Sequence, residues 1–173
     1  MAILKIVKDG DPLLRKTSRP VETVTPRILT LLDDMLETMR KADGVGLAAV
    51  QVGVLRRVVV IETEPGNPRF FINPAITGKE GAETALEGCL SVPERWGKVE
   101  RPSQITITYL DRDGKSVTST ETGLTARCLC HECDHLDGVL FTDLATEFFT
   151  RDEIEEVKSD EKSGKHRKKE KGK

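Results

Sequence analysis

The stretch CHECDHLDG, residues 130–138, places two histidines four positions apart and decides how the rest of the chain is interpreted. Residues 124–137 have the pattern of an α-helix, which Gly138 ends as a C-cap. With about 100° between successive helical residues, His131 and His135 project only about 40° apart. The sequence therefore predicts a helix that presents two imidazoles to one point.

Glu132 decides which chemistry this helix supports. In the H-E-x-x-H pattern on a helix, two imidazoles hold a divalent ion and the glutamate reaches a water molecule beside it. The glutamate must stay free of the ion because it has to accept a proton, and its direction lies about 80° from the histidine pair. A packed helix that carries two histidines without any metal remains an open alternative on the pentapeptide alone.

The four cysteines, Cys89, Cys128, Cys130 and Cys133, favour metal or thiol chemistry over a disulfide framework. Cys130 and Cys133 form a C-x-x-C pair, so a redox or zinc-knuckle site is a rival interpretation. Redox pairs of this kind usually stand at an exposed helix start, whereas this pair lies mid-helix, and no second C-x-x-C completes a four-cysteine site. We interpret Cys133, which points away from the histidines, as a small buried apolar residue. Cys89 is the best candidate for a third metal ligand.

Composition sets limits on this interpretation. A chain of 173 residues with 37% hydrophobic and 32% charged residues fits one polar domain with a modest core. No apolar run approaches the roughly 20 residues of a membrane helix, so we expect no membrane partner. The N-terminal residues show no secretory signal, and we expect a cytoplasmic protein.

The C-terminal part of the chain differs from the rest in charge. Residues 162–173 hold seven Lys or Arg against one Glu, which leaves 20 basic and 28 acidic residues upstream. We expect a charged helix at 150–162 and a disordered basic tail after it, so that residues 1–149 form the folded domain and 150–173 an appendage. A solvated tail and an electrostatic contact to RNA phosphates are both open interpretations.

Local patterns predict further helices and strands. Thr25 caps a helix that begins at Pro26 and keeps apolar residues at helical spacing as far as Lys41. The Asp113-Gly114 pair predicts a hairpin turn between two strands.

The remaining strands are predicted from their branched and aromatic residues. Residues 56–63 and 70–76 are strand candidates, and Pro74 predicts that the second lies at a sheet edge or at a strand end. Residues 44–53 and 79–91 are predicted as loops. The predicted fold is therefore α+β, with antiparallel strands and hairpins packed around a central metal-binding helix, an N-terminal helix and a C-terminal helix.

Three segments of the chain, in this order and at these separations, resemble the peptide deformylases, enzymes that remove the formyl group from nascent bacterial proteins. They are GVGLAAVQVG at 44–53, EGCLSVPE at 87–94 and HECDHLDGVLFTD at 131–143. The resemblance extends over about residues 3–148. It implies a hydrolase that acts on N-formylmethionyl peptides and releases formate.

The resemblance also implies a role for each residue of the predicted metal site. Cys89, His131 and His135 would bind one divalent ion per chain, and Glu132 would be the general acid/base. The family implies Fe²⁺ in the cell, with Zn²⁺, Ni²⁺ or Co²⁺ as substitutes.

The other implied roles concern the substrate. Gln51 and the backbone N–H of Leu90 would stabilise the oxyanion of the tetrahedral intermediate. Gly46 would let the substrate backbone approach closely, in the manner of an added strand. The pocket for the methionine side chain would be lined by Val45, Leu90, Leu124 and Cys128.

Two residues of the helix depart from the family pattern. Cys130 stands where the family usually has Gln, so a hydrogen bond beside the metal is absent. Arg127 replaces a residue that is commonly apolar, and at the pocket rim it would shift side-chain preference.

Similar enzymes dock at the ribosome through a C-terminal helix, so residues 150–173 are a candidate rRNA contact. A metallopeptidase that cleaves internal bonds and a non-catalytic metal-binding module are the alternative functions.

Overall fold

The computed structural model describes the backbone of residues 2–170 and the side chains of residues 2–163. Two antiparallel sheets are surrounded by helices, which confirms the predicted α+β class with its N-terminal, central and C-terminal helices. The α-helices are α1 (Pro26–Lys41), α2 (Gly123–Leu136), α3 (Phe141–Leu144) and α4 (Arg151–Glu170), and two 3-10 helices span Pro12–Arg15 and Ala49–Val52.

The strands form one sheet of five and one of three. In chain order they are β1 (Gly46–Ala48), β2 (Val58–Ile61), β3 (Arg69–Glu80), β4 (Glu83–Cys89), β5 (Val92–Arg101), β6 (Gln104–Leu110), β7 (Ser116–Thr122) and β8 (Glu147–Thr150). The larger sheet has the order β1-β2-β3-β6-β7, and the smaller has the order β4-β5-β8.

Helices α1 and α2 pack on opposite faces of the larger sheet. Val59 and Ile61 of β2 belong to the apolar cluster of α2, whereas Val58 and Val60 belong to the cluster of α1. Alternate residues of a strand point to opposite faces, so a strand covered on both sides buries four consecutive branched residues. This explains why β2 is so strongly apolar in sequence.

Several predicted helix ends and one predicted turn are confirmed. The Thr25 side chain accepts a hydrogen bond from the Ile28 N–H at 3.4 Å and caps α1. The turn between β6 and β7 contains Gly114, whose φ of 79° is a conformation that glycine adopts without steric strain. Gly138 follows α2 with a φ of 75°, the left-handed conformation of a helix C-terminus.

The interpretation of Pro74 as a residue of a sheet edge or strand end is wrong. β3 pairs with β2 on one side and with β6 on the other, and Pro74 lies inside it. The register against β6 shifts between Ile72 and Ala75, where Asn73 has a φ of 50°. A bulge leaves a gap in the hydrogen-bond ladder, so proline is tolerated there.

The prediction of a loop at residues 79–91 is also wrong, because β4 occupies most of it. β5 and β8 were not predicted either. The sequence of β4, ETALEGC, contains two glutamates and one glycine, residues that strands disfavour. Its strand conformation therefore depends on pairing with β5, from Glu83 opposite Arg101 to Cys89 opposite Val92.

Helix α4 is attached to the smaller sheet at its beginning. Ile154 is buried, and Arg151 Nη2 lies 2.7 Å from Glu94 Oε1 on β5. The helix continues to Glu170, beyond the predicted end at 162, so part of the segment for which we expected disorder has a helical backbone. Residues 171–173 of that tail lie outside the described residues, and the division of the chain after residue 149 stays a prediction. Within residues 2–170, no helix is long and apolar enough to cross a membrane.

Candidate metal centre and active site

The three predicted metal ligands meet at one point between α2 and the end of β4. Cys89, His131 and His135 each offer one ligand atom, and these atoms lie within 4.8 Å of one another. Cys89 Sγ is 3.3 Å from His135 Nε2, and the two imidazole centroids are 5.1 Å apart. The structure thus brings together residues that are more than 40 positions apart in the chain.

Two different elements position these ligands. The histidines lie one helical turn apart on α2, so helix geometry alone directs them to one side. Cys89 is the last residue of β4 and pairs with Val92 across the turn Leu90-Ser91. Burial, followed by the charge of His131, lowers the pKa of His135 well below its usual value, which favours the neutral imidazole that binds metals.

Glu87 orients one of the histidines, and sequence reasoning missed it. Its Oε1 lies 2.8 Å from His131 Nδ1, so Nδ1 donates to the carboxylate. Burial lowers the pKa of His131, but the hydrogen bonds with Cys89 and Glu87 outweigh it and raise that pKa, so an ion at Nε2 would replace a proton there. Glu87 stands two residues before Cys89 on β4, and such residues share one face of a strand. That spacing is the signal that would have found it, had residues 79–91 been predicted as a strand.

Two arginines compensate the buried charge of Glu87. Arg101 donates from Nε to Oε2 and from Nη2 to Oε1, both at 2.9 Å, and Arg127 Nη1 donates to Oε2 at 2.7 Å. Burial alone would raise the pKa of Glu87, but the hydrogen bonds from Arg101 and His131 outweigh it and lower that pKa to about 2. Glu87 is therefore a carboxylate at neutral pH.

Glu132 is buried beside the histidines, and its Oε2 has no hydrogen-bond partner among the described residues. Burial raises the pKa of Glu132 to about 7, against a lowering by the charge of His131. A carboxyl group with such a pKa can both accept and return a proton near neutral pH.

Gln51 is held next to Cys89 by hydrogen bonds from both ends of its amide. Its Oε1 accepts the Ala48 N–H at 2.9 Å, and its Nε2 donates to Ser91 Oγ at 3.0 Å and to Cys89 Sγ at 3.6 Å. Ser91, which is fully buried, was also missed by the sequence reasoning. Leu90, the other predicted oxyanion residue, lies between Cys89 and Ser91 at the turn of the hairpin.

A cavity of about 580 Å³ opens in front of these residues and reaches Cys89, His131, Glu132 and Gln51. It is bordered by all of the predicted substrate residues, Val45, Gly46, Leu90, Leu124 and Cys128. Val45 and Leu124 form exposed parts of its wall, with 46% and 56% exposure, whereas Cys128 is buried. Ile6, Leu86 and Trp96 also border it, and nothing in the local sequence pattern indicated them.

Gly46 has a second reason to be glycine besides substrate approach. A Cβ at this position would lie 2.6 Å from Cys128 Sγ and 2.7 Å from Glu132 Oε1. Strand β1 can therefore contact α2 at this closeness only without a side chain there.

The remaining residues of α2 do not form a second site. The described cysteines are free thiols, and burial raises the pKa values of Cys130 and Cys133, the latter to about 12. High pKa values disfavour the thiolates that a redox pair needs. Arg127 borders the cavity, and its buried guanidinium is directed at Glu87 rather than at the rim, where it would shift side-chain preference.

Comparison with known proteins agrees with this geometry. A family model described as polypeptide deformylase matches residues 3–149. The chain belongs to the polypeptide deformylase family. As a member of that family it is a hydrolase that removes the N-formyl group from nascent peptides, as the resemblance implied.

Individual relatives cover most of the chain. A peptide deformylase of Acetivibrio thermocellus is 48% identical over 167 residues, which are 96% of this chain and 98% of the relative. The crystal structure of peptide deformylase from Thermotoga maritima has a TM-score of 0.82 at 38% identity, with 85% of this chain and 100% of that chain covered. A Met-Ala-Ser-bound deformylase of Acinetobacter baumannii has a TM-score of 0.80 at 33% identity, with 83% and 98% covered.

The donor set of this chain fits the metal dependence of the family. One thiol and two imidazoles suit a divalent transition metal, and a carboxylate on the second nitrogen of an imidazole is the usual support of such a ligand. His135 Nε2 faces Cys89 Sγ, and Glu87 fixes His131, so the cluster presents the expected donors.

Proposed function

We propose that Cys89, His131 and His135 hold one divalent metal ion and that Glu132 is the general acid/base of formyl hydrolysis. The carrying observation is the meeting of three ligand atoms within 4.8 Å beside a buried carboxyl group whose Oε2 is unpartnered in the described residues. A metal-binding helix without catalysis has no need of such a carboxyl group, because an unpartnered buried oxygen destabilises the fold.

The chain's own residues carry the proton transfers. A divalent ion, when bound, would make a water molecule nucleophilic at neutral pH. Glu132 would accept a proton from this water at Oε2 and return it to the amine that leaves when the formyl C–N bond breaks. Burial raises the pKa of Glu132 in the ion-free chain, which favours a group that is deprotonated before attack and protonated afterwards.

Gln51 and Leu90 would stabilise the negative charge on the formyl oxygen. The bond from Gln51 Nε2 to Cys89 Sγ is long, at 3.6 Å, so this N–H can turn to an oxyanion while the other keeps Ser91 Oγ at 3.0 Å. The Leu90 N–H lies at the turn that follows Cys89 and would be the second donor.

The substrate backbone would add to β1, which is an edge strand of the larger sheet. Because the Glu62 N–H donates to the Val45 carbonyl at 2.8 Å, the N–H and C=O of Gly46 point away from β2. These groups are free to pair with a formylmethionyl peptide whose side chain enters the cavity by Leu124 and Cys128. The Met-Ala-Ser bound to the Acinetobacter baumannii deformylase supports an occupant of this kind.

We further propose Fe²⁺ as the ion in the cell. A site of this donor set binds Zn²⁺ more tightly than Fe²⁺, so the resident metal depends on what the cell supplies and on the exclusion of oxygen. Metal analysis after anaerobic purification should find iron with full activity, and exposure to air should lower both. Equal activity and zinc content with and without oxygen would contradict the assignment.

The C-terminal segment is proposed to contact ribosomal RNA in the cytoplasm, where formylated chains emerge. The described turns of α4 are acidic, with Asp152, Glu153, Glu155 and Glu156 near its beginning, so the attraction has to come from the basic residues 162–173. Deletion of 162–173 leaves the buried Ile154 in place and should weaken ribosome binding in a salt-dependent way. Unchanged ribosome binding would contradict the proposal.

The deciding test of the function is formate release from formyl-Met-Ala-Ser under anaerobic conditions, with metal content measured on the same sample. We expect formate and free Met-Ala-Ser from the wild type and almost none from Glu132→Gln. Cleavage between methionine and alanine would indicate a metallopeptidase, and metal binding without any cleavage a non-catalytic module.

A further inference from the structure

Arg127 is a buried charge that the proposed proton transfers do not use. It stands one helical turn before His131 on α2, and its side chain is 10% exposed. Its Nη1 donates to Glu87 Oε2 at 2.7 Å and to the Val99 carbonyl at 2.9 Å, and its Nη2 donates to the Glu83 carbonyl at 2.6 Å. One guanidinium thus joins α2 to β4 and to β5.

The contacts of Glu87 show where this guanidinium acts. Oε1 of Glu87 receives His131 Nδ1 at 2.8 Å and Arg101 Nη2 at 2.9 Å, whereas Oε2 receives Arg101 Nε at 2.9 Å and Arg127 Nη1 at 2.7 Å. The carboxylate therefore accepts from four donors. Without Arg127, Oε2 would keep only the donor Nε of Arg101, and the carboxylate would be held less firmly against His131.

We propose that Arg127 is a positioning residue for the metal centre, which acts through Glu87 on the orientation of His131 and joins the strand of Cys89 to the helix of the two histidines. This inference rests on the proposed ligand set. It assigns to Arg127 a task in metal retention, not in the choice of the substrate side chain.

Lysine cannot perform this task fully. Its single ammonium group has no planar fork, so it cannot reach the Glu87 carboxylate and the carbonyls of Val99 and Glu83 in the same geometry. Arg127→Lys should therefore rescue part of what Arg127→Met removes. A merely structural cation would be replaced by lysine without any effect on the metal.

The test measures Co²⁺ affinity by competition with a chelator, together with the visible absorption spectrum of the Co²⁺-loaded protein. We expect Arg127→Met to weaken Co²⁺ binding about 10–100-fold and to change the spectrum, with Arg127→Lys in between. Arg69→Met is the matched control, because Arg69 Nη2 pairs at 2.6 Å with the partly buried Glu121 outside the site. Its Co²⁺ affinity and spectrum should equal those of the wild type.

Urea unfolding of the metal-free variants separates stability from positioning. A Co²⁺ affinity of Arg127→Met within about twofold of the wild type, with an unchanged spectrum, would overturn the inference. If Arg127→Met does not fold, the same result for Arg127→Lys would overturn it. If the wild type binds Co²⁺ without any thiolate-to-cobalt absorption, the ligand set is wrong, and with it the proposed function. If the Arg127 variants bind Co²⁺ as the wild type does, only the task of Arg127 is rejected.

Discussion

Helix α2 and the hairpin of β4 and β5 each supply half of the site, by different physical means. The helix presents His131, Glu132 and His135 within five consecutive residues, and their directions follow from helix geometry alone. The hairpin presents Cys89 and Glu87, which reach the helix only because β4 pairs with β5. In the proposed mechanism the helix carries the proton chemistry, and the hairpin keeps the proposed metal ligands in place.

This difference separates two classes of variant. A change of the acid/base on α2 should remove the reaction and leave the metal bound. A change on the hairpin should weaken metal binding and the fold together, because the buried charges of the hairpin compensate one another.

The largest effect is expected for Glu132→Gln on the helix. Glutamine keeps the shape of the side chain but accepts no proton, so kcat should fall about 10²–10⁴-fold. Metal content by mass spectrometry of the native protein should equal that of the wild type. A loss of activity below about tenfold would contradict the general acid/base role.

Glu87→Gln on the hairpin is expected to act on the metal and on stability. Arg101 and Arg127 would lose their shared anion, and the free energy of unfolding should fall by about 3–5 kcal/mol. Metal affinity should fall about 10–100-fold, because His131 loses the partner of its Nδ1. Urea unfolding and chelator competition measure the two effects.

The control for this variant is Glu121→Gln, which breaks the pair with Arg69 away from the site. It should lower stability without any change in metal affinity. If Glu87→Gln binds metal as tightly as Glu121→Gln and the wild type do, the hairpin does not keep the metal ligands in place.

The acid dependence of stability tests the charge of the hairpin. The pKa of Glu87 is about 2 in the folded chain against an ordinary value of 4.5, so its contribution is complete above pH 4.5 and is lost as the pH falls towards 2. The wild type should lose about 3 kcal/mol of its free energy of unfolding through this group. In the presence of EDTA, Glu87→Gln should lose that much less between pH 5 and pH 2. An equally steep loss of stability with acid in the variant would show that a group other than Glu87 causes it.

The smallest effect is expected where β1 touches the helix. A Cβ in Gly46→Ala would lie 2.6 Å from Cys128 Sγ, so we expect a loss of about 1–3 kcal/mol in the free energy of unfolding. Addition of Cys128→Ala removes that sulfur and should restore part of the loss. Gly78→Ala, whose Cβ would lie 3.3 Å from Thr106, is the milder control. No gain from Cys128→Ala would show that the contact is not the cause.

The helix half of the site was predictable from sequence because its information is local. The spacing of His131 and His135 and the C-cap at Gly138 predicted α2 and its ligand face, and the structure agrees. Cys89 was a candidate third ligand from residue type, but its place in the site and the role of Gln51 came from the resemblance of three segments to one family, since no periodicity links residues so far apart.

Most of the hairpin half could not be predicted from the sequence. β4 contains glutamates and glycine, and its strand conformation depends on a partner that was itself not predicted. The ion pairs of Glu87 join it to Arg101 and Arg127, 14 and 40 positions away, and a local pattern cannot indicate such partners. From sequence, Arg127 therefore had no predicted partner, only an effect on side-chain preference if it lay at the pocket rim.

X-ray absorption spectroscopy at the metal edge of the loaded protein tests the central claim most directly, because it counts the ligands of the ion itself. The account predicts one sulfur at about 2.3 Å and two imidazole nitrogens at about 2.0–2.1 Å from a single ion. Two or more sulfur ligands would require a cysteine of α2 in addition to Cys89, and no sulfur ligand would exclude Cys89; either result would contradict the site described for this chain.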